Sequence, residues 1–515
     1  MKYRIVCTLA ILLAAQFGFA QSSVLDSSFG QNGMIFTHMA HFHVNSTDMV
    51  RDTNGRLIMT GYRVDSTIVN PHKHAFIRGY TTAGLLDSSF GAYGIVEDIN
   101  TSAGDYYNTV AIQADQKIIA GGAFIDVNQP LKKWLLCRYN TSGMRDSSFG
   151  INGLVTTNVA AISEVRHILI QQDGKIIAIG GDEASYTLVR YNIDGGIDSS
   201  FGNNGWAFPI YVNGESALLQ PDGKILLGGY ITDQNNHYGL AIERFLSNGS
   251  VDSAFGVNGQ LSVFNGYSLW AQKLALDSSG RIVAIGTATV TGASHMTVSV
   301  LRFNSDGSSD NSFHTPSIVT DASSEESGAD ILIQPDGKMI AACNSGFLPH
   351  YLYQNVNLVR LKANGDIDSA VGQNGVIKTY VPQSLLIASM LRQPDGKIVL
   401  TGTNYSEDFG LKNAVMLRYN LVESAISVIS PITGIISHVK IYPNPANNQF
   451  FVDLSNVQTS SGYCFELMDI IGRMVATGNL KTGVNTINTS SLSNGLYLLQ
   501  ITNGSGKEVH KIVKQ

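Results

Sequence analysis

Three short strings recur seven times in the same order along this chain, and that recurrence restricts its fold more than any other feature. Asp-Ser-Ser-Phe-Gly-x-x-Gly begins at Asp26, Asp87, Asp146 and Asp198, with variants at Asp252, Asp310 and Asp368, so the spacings run 61, 59, 52, 54, 58 and 58 residues. Gln-Pro-Asp-Gly-Lys-Ile is complete at Gln393–Ile398 and nearly so at Gln334–Ile340, with shorter copies around Asp52, Asp115, Asp173, Asp222 and Asp277. A Leu-x-Arg-Tyr-Asn string surrounds Arg78, Arg138, Arg190, Arg244, Arg302, Arg360 and Arg418.

Each unit reads as four strands. In one of them, His167–Gln171 and Lys175–Ile179 flank an Asp173-Gly174 turn, Thr187–Tyr191 follows, and Trp206–Ile210 comes after the Asp-Ser-Ser-Phe-Gly turn. Helical spacing is nearly absent. Four short strands repeated seven times predict an all-β fold, a seven-bladed β-propeller, because radial repetition leaves only short sheet edges. The phase of the repeat predicts closure. The chain opens on a lone fourth-strand element, Asp26 to Thr37, while the last unit ends at Tyr419 without one, so the N-terminal segment is expected to complete the seventh blade.

Charged residues make up only 14% of the chain, and 34 Lys+Arg against 40 Asp+Glu leave no basic surplus for a phosphate backbone, which argues against a nucleic-acid partner. Residues 1–20 carry Lys2 and Arg4, an apolar run from Ile5 to Ala15 and small residues at Gly18 and Ala20, the pattern of an export signal peptide. No later apolar run is long enough for a transmembrane helix. Beyond the signal the chain keeps Cys137, Cys343 and Cys464, too few and too scattered for a disulfide framework. They read as small apolar side chains, with a Cys137–Cys343 bridge as the alternative.

The repeat strings resemble the delta-60 repeats of secreted bacterial proteins, over residues 21–421. The resemblance implies a propeller without an agreed activity. Residues 422–437 read as a linker, and 438–515 change character: alternating strand patterns with Asn/Gly turns predict a small β-sandwich. Its motifs are Tyr442-Pro443-Asn444-Pro445, Asp469–Arg473, Asn494-Gly495-Leu496-Tyr497 and Lys511-Ile512-Val513-Lys514. They closely resemble the type A C-terminal sorting domain of the type IX, or Por, secretion system. That resemblance implies the type IX machinery as a partner, export through the periplasm and outer membrane of a Gram-negative bacterium, and a mature chain that is secreted or held at the cell surface.

For a site, repetition itself is a guide. The recurring turns fall on one face of the expected ring and read as structural, their Asp residues accepting backbone N–H bonds and their Arg residues pairing with those acids. The opposite face carries loops that differ between units, where function on a scaffold usually resides. The ligand-binding candidates there are Tyr106, Tyr107, Tyr230, Tyr238, Tyr351, Tyr353 and Tyr405, joined by Trp134, Phe347, Trp270 and Phe409, whose rings suit sugar stacking or a peptide anchor. His41 with His43 and His72 with His74 are each two residues apart, a spacing that could turn both imidazoles of a pair toward a transition metal, with Glu407 and Asp408 near. No other cofactor is expected. An acidic run, Asp321, Glu325, Glu326 and Asp330, reads as a solvated loop. The expected function is a non-enzymatic, monomeric binding scaffold for an extracellular glycan, peptide or surface component. The alternatives are a polysaccharide-acting hydrolase or lyase in the propeller funnel, and a purely structural surface protein.

Overall fold

The computed structural model describes residues 24–421 and 439–515 apart from positions 40, 69–71, 99–103, 126–131, 160–162, 182–185, 210–211, 235–236, 265–267, 290–295, 319, 321–324, 347–354, 382–384, 406–410, 456–462, 470–473 and 504–505. The expected signal peptide and linker, Tyr351, Tyr353, Phe347, Glu407, Asp408, Phe409 and Asp321 lie outside the described residues, as does the side chain of Tyr405. The chain divides into two compact units, the first ending at Val422 and the second beginning at Glu423.

Among the described residues every regular element is a strand, and no helix is long and apolar enough to cross a membrane. The first unit holds seven four-stranded antiparallel sheets among these residues. Sheet 1 is Phe42–Arg51, Leu57–Asp65, Lys73–Tyr80 and Ile95–Asp98. Sheets 2 to 6 repeat that order, with leading strands Asp105–Ile112, Glu164–Ile170, Asn213–Leu219, Leu269–Leu276 and Glu325–Ile333. Sheet 7 takes Leu385–Arg392, Ile398–Tyr405 and Lys412–Tyr419 from the end of the unit and its fourth strand, Met34–Thr37, from the beginning. Met34 lies opposite Leu417 and Thr37 opposite Ala414.

Apolar packing runs between sheets as well as within them. Phe29, Val44, Met59 and Phe76 share one buried cluster with Val399, Ala414 and Met416, so sheet 1 rests on sheet 7. The Ser46 and Thr401 hydroxyls, 2.7 Å apart, and a bond from the Ser46 N–H to Thr403 Oγ1 add polar links there.

The recurring strings explain themselves in these contacts. The first Asp of each turn caps its own loop: Asp198 Oδ1 accepts the Ser200 N–H at 3.1 Å and its hydroxyl at 2.7 Å. Its other oxygen lies 2.8 Å from Arg190 Nε and 2.9 Å from Lys175 Nζ. The Arg190 guanidinium stacks 4.7 Å from the centroid of Phe201 and donates to Ser247 O, in sheet 4's turn, at 2.8 Å. Equivalent groups recur at Arg138, Arg244, Arg302 and Arg418. In the last, Asp26 at the N-terminus takes Arg418 and Lys397, both at 2.8 Å, across the seam. Sheet 1 departs from the pattern. Gly79 fills the arginine's place, Arg78 one residue earlier faces Phe76 and Met39, and Arg56 instead stacks on Phe90 and reaches Asp87 at 2.8 Å.

Every leading strand carries one extra residue at the same point: Thr47, Asn108, Arg166, Glu215, Gln272, Ala329 and Ala388. Such a β-bulge needs close backbone approach across the strand pair. The Gly-rich middle strands provide it, since a Cβ at Gly122 or Gly180 would sit 1.9 Å from the carbonyl oxygen of Tyr106 or Glu164. In sheet 6 the middle strand holds Cys343, and the facing glycine is Gly328 on the leading strand.

The second unit pairs a three-stranded sheet, Lys440–Tyr442, Gln449–Asp453 and Val484–Asn488, with a four-stranded one, Met474–Leu480, Tyr463–Asp469, Gly495–Asn503 and Gly506–Lys514. Phe450, Val452 and Ile487 of the first share a core with Phe465, Leu467, Leu499 and Ile501 of the second. The Tyr442–Pro443 and Asn444–Pro445 peptides are cis, and Asn444 Oδ1 accepts the Val513 N–H of the last strand at 2.8 Å. Tyr497 donates to Ser493 O at 2.8 Å, and the Lys514 ammonium lies 3.4 Å from Asn494 Oδ1.

Candidate functional site

The shared bulge aligns the seven sheets residue for residue, so a position filled differently from sheet to sheet stands out. The residues just after the bulges are Asp48, Thr109, His167, Ser216, Lys273, Asp330 and Ser389. Three of them bond a leading strand to the next: Asp48 accepts the Val110 N–H at 3.1 Å, Ser216 the Leu274 N–H at 3.0 Å, and Asp330 the Met390 N–H at 2.7 Å. This row is structural. Asp330 holds the Lys273 ammonium above its ordinary pKa, and burial, with Lys273 and Arg166 nearby, brings His167 down to about 3. The described part of the acidic run is not a solvated loop. Glu325, Glu326 and Asp330 belong to the leading strand of sheet 6, where Glu326 is buried and accepts the Thr320 N–H and hydroxyl.

Tyr106 and Tyr107 also lie on a strand, not in a loop; as neighbours they point to opposite faces of the sheet, and both rings are buried because both faces are covered. Tyr107 is fully buried, its hydroxyl 2.7 Å from that of Tyr139, and so packs the interior between sheets instead of meeting a ligand. Trp134 is buried as well and donates to Ser163 Oγ at 3.0 Å. Tyr106 is buried too, and its hydroxyl reaches Glu164 on sheet 3 and donates to that carboxylate. Burial, reinforced by Glu164, pushes the Tyr106 phenol well above its usual pKa.

Around that bond the charges gather. Lys132 Nζ lies 3.4 Å from Glu164 Oε2, and Arg166 Nε lies 3.6 Å from Oε1, each side chain about one-third exposed. Lys73 Nζ sits 4.3 Å and 3.9 Å from the ring centroids of Tyr62 and Tyr106, which meet edge to face at 5.7 Å. Burial lowers the Lys73 pKa, Glu164 opposes that, and Lys132 and Lys412 lower it further. Glu215, the bulge residue of sheet 4, reaches solvent beside Arg166; the protein wall around it raises its pKa and Arg166 pulls it down.

A second group is aromatic. Tyr230 and Tyr238 pack edge to face at 5.2 Å, and Tyr238 meets Trp270 at 6.3 Å and 77°. Tyr238 is 43% exposed, and Tyr230 and Trp270 are half-buried. Three of the sequence candidates, Tyr230, Tyr238 and Trp270, thus come together across sheets 4 and 5. Beside them, His237 Nδ1 lies 3.0 Å from Asp233 Oδ2.

The histidine pairs do not converge. His43 stands opposite Val64 and His74 opposite Arg63, so their side chains leave sheet 1 on opposite faces. His43 Nδ1 accepts the Lys412 N–H at 3.1 Å, while His41 and His72 are exposed. Among the described residues no three His, Cys, Asp or Glu side chains are placed to hold a metal ion. Cys137 and Cys343 are buried free thiols on sheets 2 and 6, which excludes a bridge between them.

Lys73, Lys132 and Lys412 went unread in the sequence. Each opens the third strand of its sheet, seven residues before Tyr80, Tyr139 and Tyr419, and in sheet 4 the same position is Tyr238. A signal existed: lysine seven residues before the tyrosine that ends the third strand, in three units that are neighbours in space.

Residues 440–515 match the family described as a secretion system C-terminal sorting domain. Residues 113–149, 171–201, 220–255 and 278–313 match the domain of unknown function (DUF5122) beta-propeller. No curated protein matches. Among solved structures the chain is similar to a catalytically inactive virginiamycin B lyase from Staphylococcus aureus, at 13% identity and TM-score 0.38, over 75% of this chain and 98% of that one. It is also similar to the polysaccharide lyase Uly1, at 12% identity and TM-score 0.44, over 73% and 90%. The GH93 α-L-arabinofuranosidase of Fusarium graminearum aligns at 12% identity and TM-score 0.41, over 76% and 98%. The chain therefore joins a repeat-type β-propeller to a type IX sorting domain, which marks it for export to the cell surface or the extracellular space.

Proposed function

We propose that this chain is an exported binding scaffold for an extracellular glycan, acting without catalysis through the end of the propeller that carries Tyr238 and Trp270. In this reading the seven sheets are seven blades of a closed ring spanning residues 21–421, with Met34–Thr37 as the outer strand of the last. A signal peptide precedes the ring, and a linker and a β-sandwich sorting domain follow it. The mature protein is monomeric.

The observation that carries the binding reading is the Tyr230–Tyr238–Trp270 group. Its rings are held edge to face by one another and one remains open to solvent, which is how a sugar-stacking platform is pre-ordered at low entropic cost.

The test is a glycan and peptide array probed with the purified mature protein and with Tyr238→Ala and Trp270→Ala variants. Binding to a glycan that both variants lose by about tenfold or more supports the reading. Peptide binding alone, or glycan binding untouched by both substitutions, refutes it. A hydrolase reading has one observation in its favour: Glu215, with its raised pKa, lies near Arg166 and Glu164. Release of new reducing ends from a polysaccharide, lost in Glu215→Gln, would replace the scaffold reading with that one.

A further inference from the structure

We infer that the site takes a polysaccharide bearing carboxylates, a polyuronate, with its acid groups on an arc of three lysines and its sugar faces on the aromatic group; this rests on the glycan-binding reading above.

The register supplies the arc. Lys412, Lys73 and Lys132 occupy one structural position in sheets 7, 1 and 2, which follow one another in space. Nothing in the turn chemistry or the core requires lysine there, since the same position is Tyr238 in sheet 4 and Met296 in sheet 5. The lysines are close enough for Lys132 and Lys412 both to depress the pKa of Lys73. Arg166 extends the positive charge to sheet 3. Three like charges in a row are costly unless something negative lies against them.

Among the described residues, carboxylates of the protein reach Lys132 and Arg166. Glu164 is shared by Lys132 and Arg166 and also accepts the Tyr106 hydroxyl, while Glu215 lies near Arg166. The Lys73 ammonium rests on the Tyr62 and Tyr106 rings, with no carboxylate within ion-pair distance among the described residues. The two rings hold that ammonium in place, ready for an incoming anion. All this sits in a chain with a formal net charge of −6, so the arc is a local reversal of sign.

Specificity follows from combining the two groups. A carboxylate meets the lysines, and the apolar face of a pyranose ring lies on Tyr238 and Trp270, which occupy sheets 4 and 5 beyond Arg166. An acidic peptide would satisfy the lysines but leave the rings without a flat partner, and a neutral glycan would do the reverse. A polyuronate engages both.

The experiment compares four probes on the purified mature protein: polygalacturonate, the same polymer with its carboxyls methyl-esterified, a neutral glucan and poly-glutamate. It also measures a Lys73→Met/Lys132→Met variant, which keeps the side-chain stems over the rings. The expected result is binding to polygalacturonate that falls roughly tenfold or more on esterification, falls comparably in the double variant, and weakens as salt rises from 50 to 500 mM. An unchanged melting temperature in the double variant separates the charge effect from unfolding. Equal binding to the esterified polymer, equal binding to poly-glutamate, or full retention by the double variant overturns the inference. Binding to the glucan alone overturns it and keeps the glycan-binding reading, whereas no binding to any of the four overturns the inference and leaves that reading to the array.

Discussion

Replacing Arg190 by Met tests whether the recurring arginine holds neighbouring sheets together. Arg190 is 6% exposed and makes four polar contacts: Asp198 at 2.8 Å, Ser247 O at 2.8 Å, Ser200 Oγ at 3.0 Å and Gln171 Oε1 at 3.2 Å. Met keeps the stem against Phe201 but removes all four. It leaves the Asp198 carboxylate, itself 7% exposed, with Lys175 as its remaining cation, and leaves the Ser247 carbonyl with the Gln171 amide at 3.0 Å. Removing one partner of such a pair costs about 3–5 kcal/mol, and because Lys175 survives the lower end applies, about 3 kcal/mol. Arg78 is the internal control. It lies one residue before the equivalent place in sheet 1, which Gly79 holds, is 5% exposed, and contacts Met39 and Phe76 in place of a turn carboxylate. Arg78→Met then removes a buried charge with no strong partner and is expected to cost less than about 1 kcal/mol. Urea unfolding of both variants reads the difference directly. If Arg190→Met costs no more than Arg78→Met, the repeated Arg-Asp-Phe group is not what joins the sheets.

Acid should unfold the propeller in two stages. Burial alone would raise Asp26, Asp146 and Asp198, but serine and lysine hydrogen bonds and the paired arginine outweigh it and hold them well below the usual carboxylate range, while Ser312 and Arg302 bring Asp310 to about 2. Folded pKa values below the unfolded ones mean this stability is complete above about pH 4 and is lost as pH falls through the depressed values. His167, neutral down to about 3, adds a loss that begins below about pH 6.5, so His167→Gln should flatten the melting temperature between pH 6 and 4 and leave the steeper fall below 4. Gly180→Ala should destabilise by roughly 1–3 kcal/mol, because its Cβ would stand 1.9 Å from Glu164 O; an unchanged midpoint would show that the bulge does not need that glycine. One thiol, Cys464, should react with a disulfide reagent in the native protein and two more only after unfolding; a single slow phase for all three would contradict their burial.

What could be read from the sequence was what repeats. The strings at Asp198, Asp173 and Arg190 each mark a turn or a pairing forced by local chemistry, so strand order and the turn contacts follow from them. What could not be read depends on register. The pairing that buries Tyr107 and Glu326 is set by a one-residue bulge, and a one-residue shift exchanges inside for outside. That is why Tyr107 read as a loop residue, and the acidic run as solvated. The meeting of Tyr238 with Trp270, or Lys73 with Tyr106, joins residues on different sheets, and no spacing within one unit encodes it.

The proposed ring would be fastened where Met34–Thr37 pairs with Lys412–Tyr419, Phe29 is fully buried, and Asp26 meets Arg418 and Lys397. The decisive measurement is the unfolding midpoint of a chain that begins at His38, beside that of the mature protein. Loss of one buried aromatic and a four-residue strand pairing should remove at least about 4 kcal/mol and lower the midpoint by several degrees or abolish folding. An identical midpoint would mean the last sheet stands without its borrowed strand, and the closed ring would have to be abandoned.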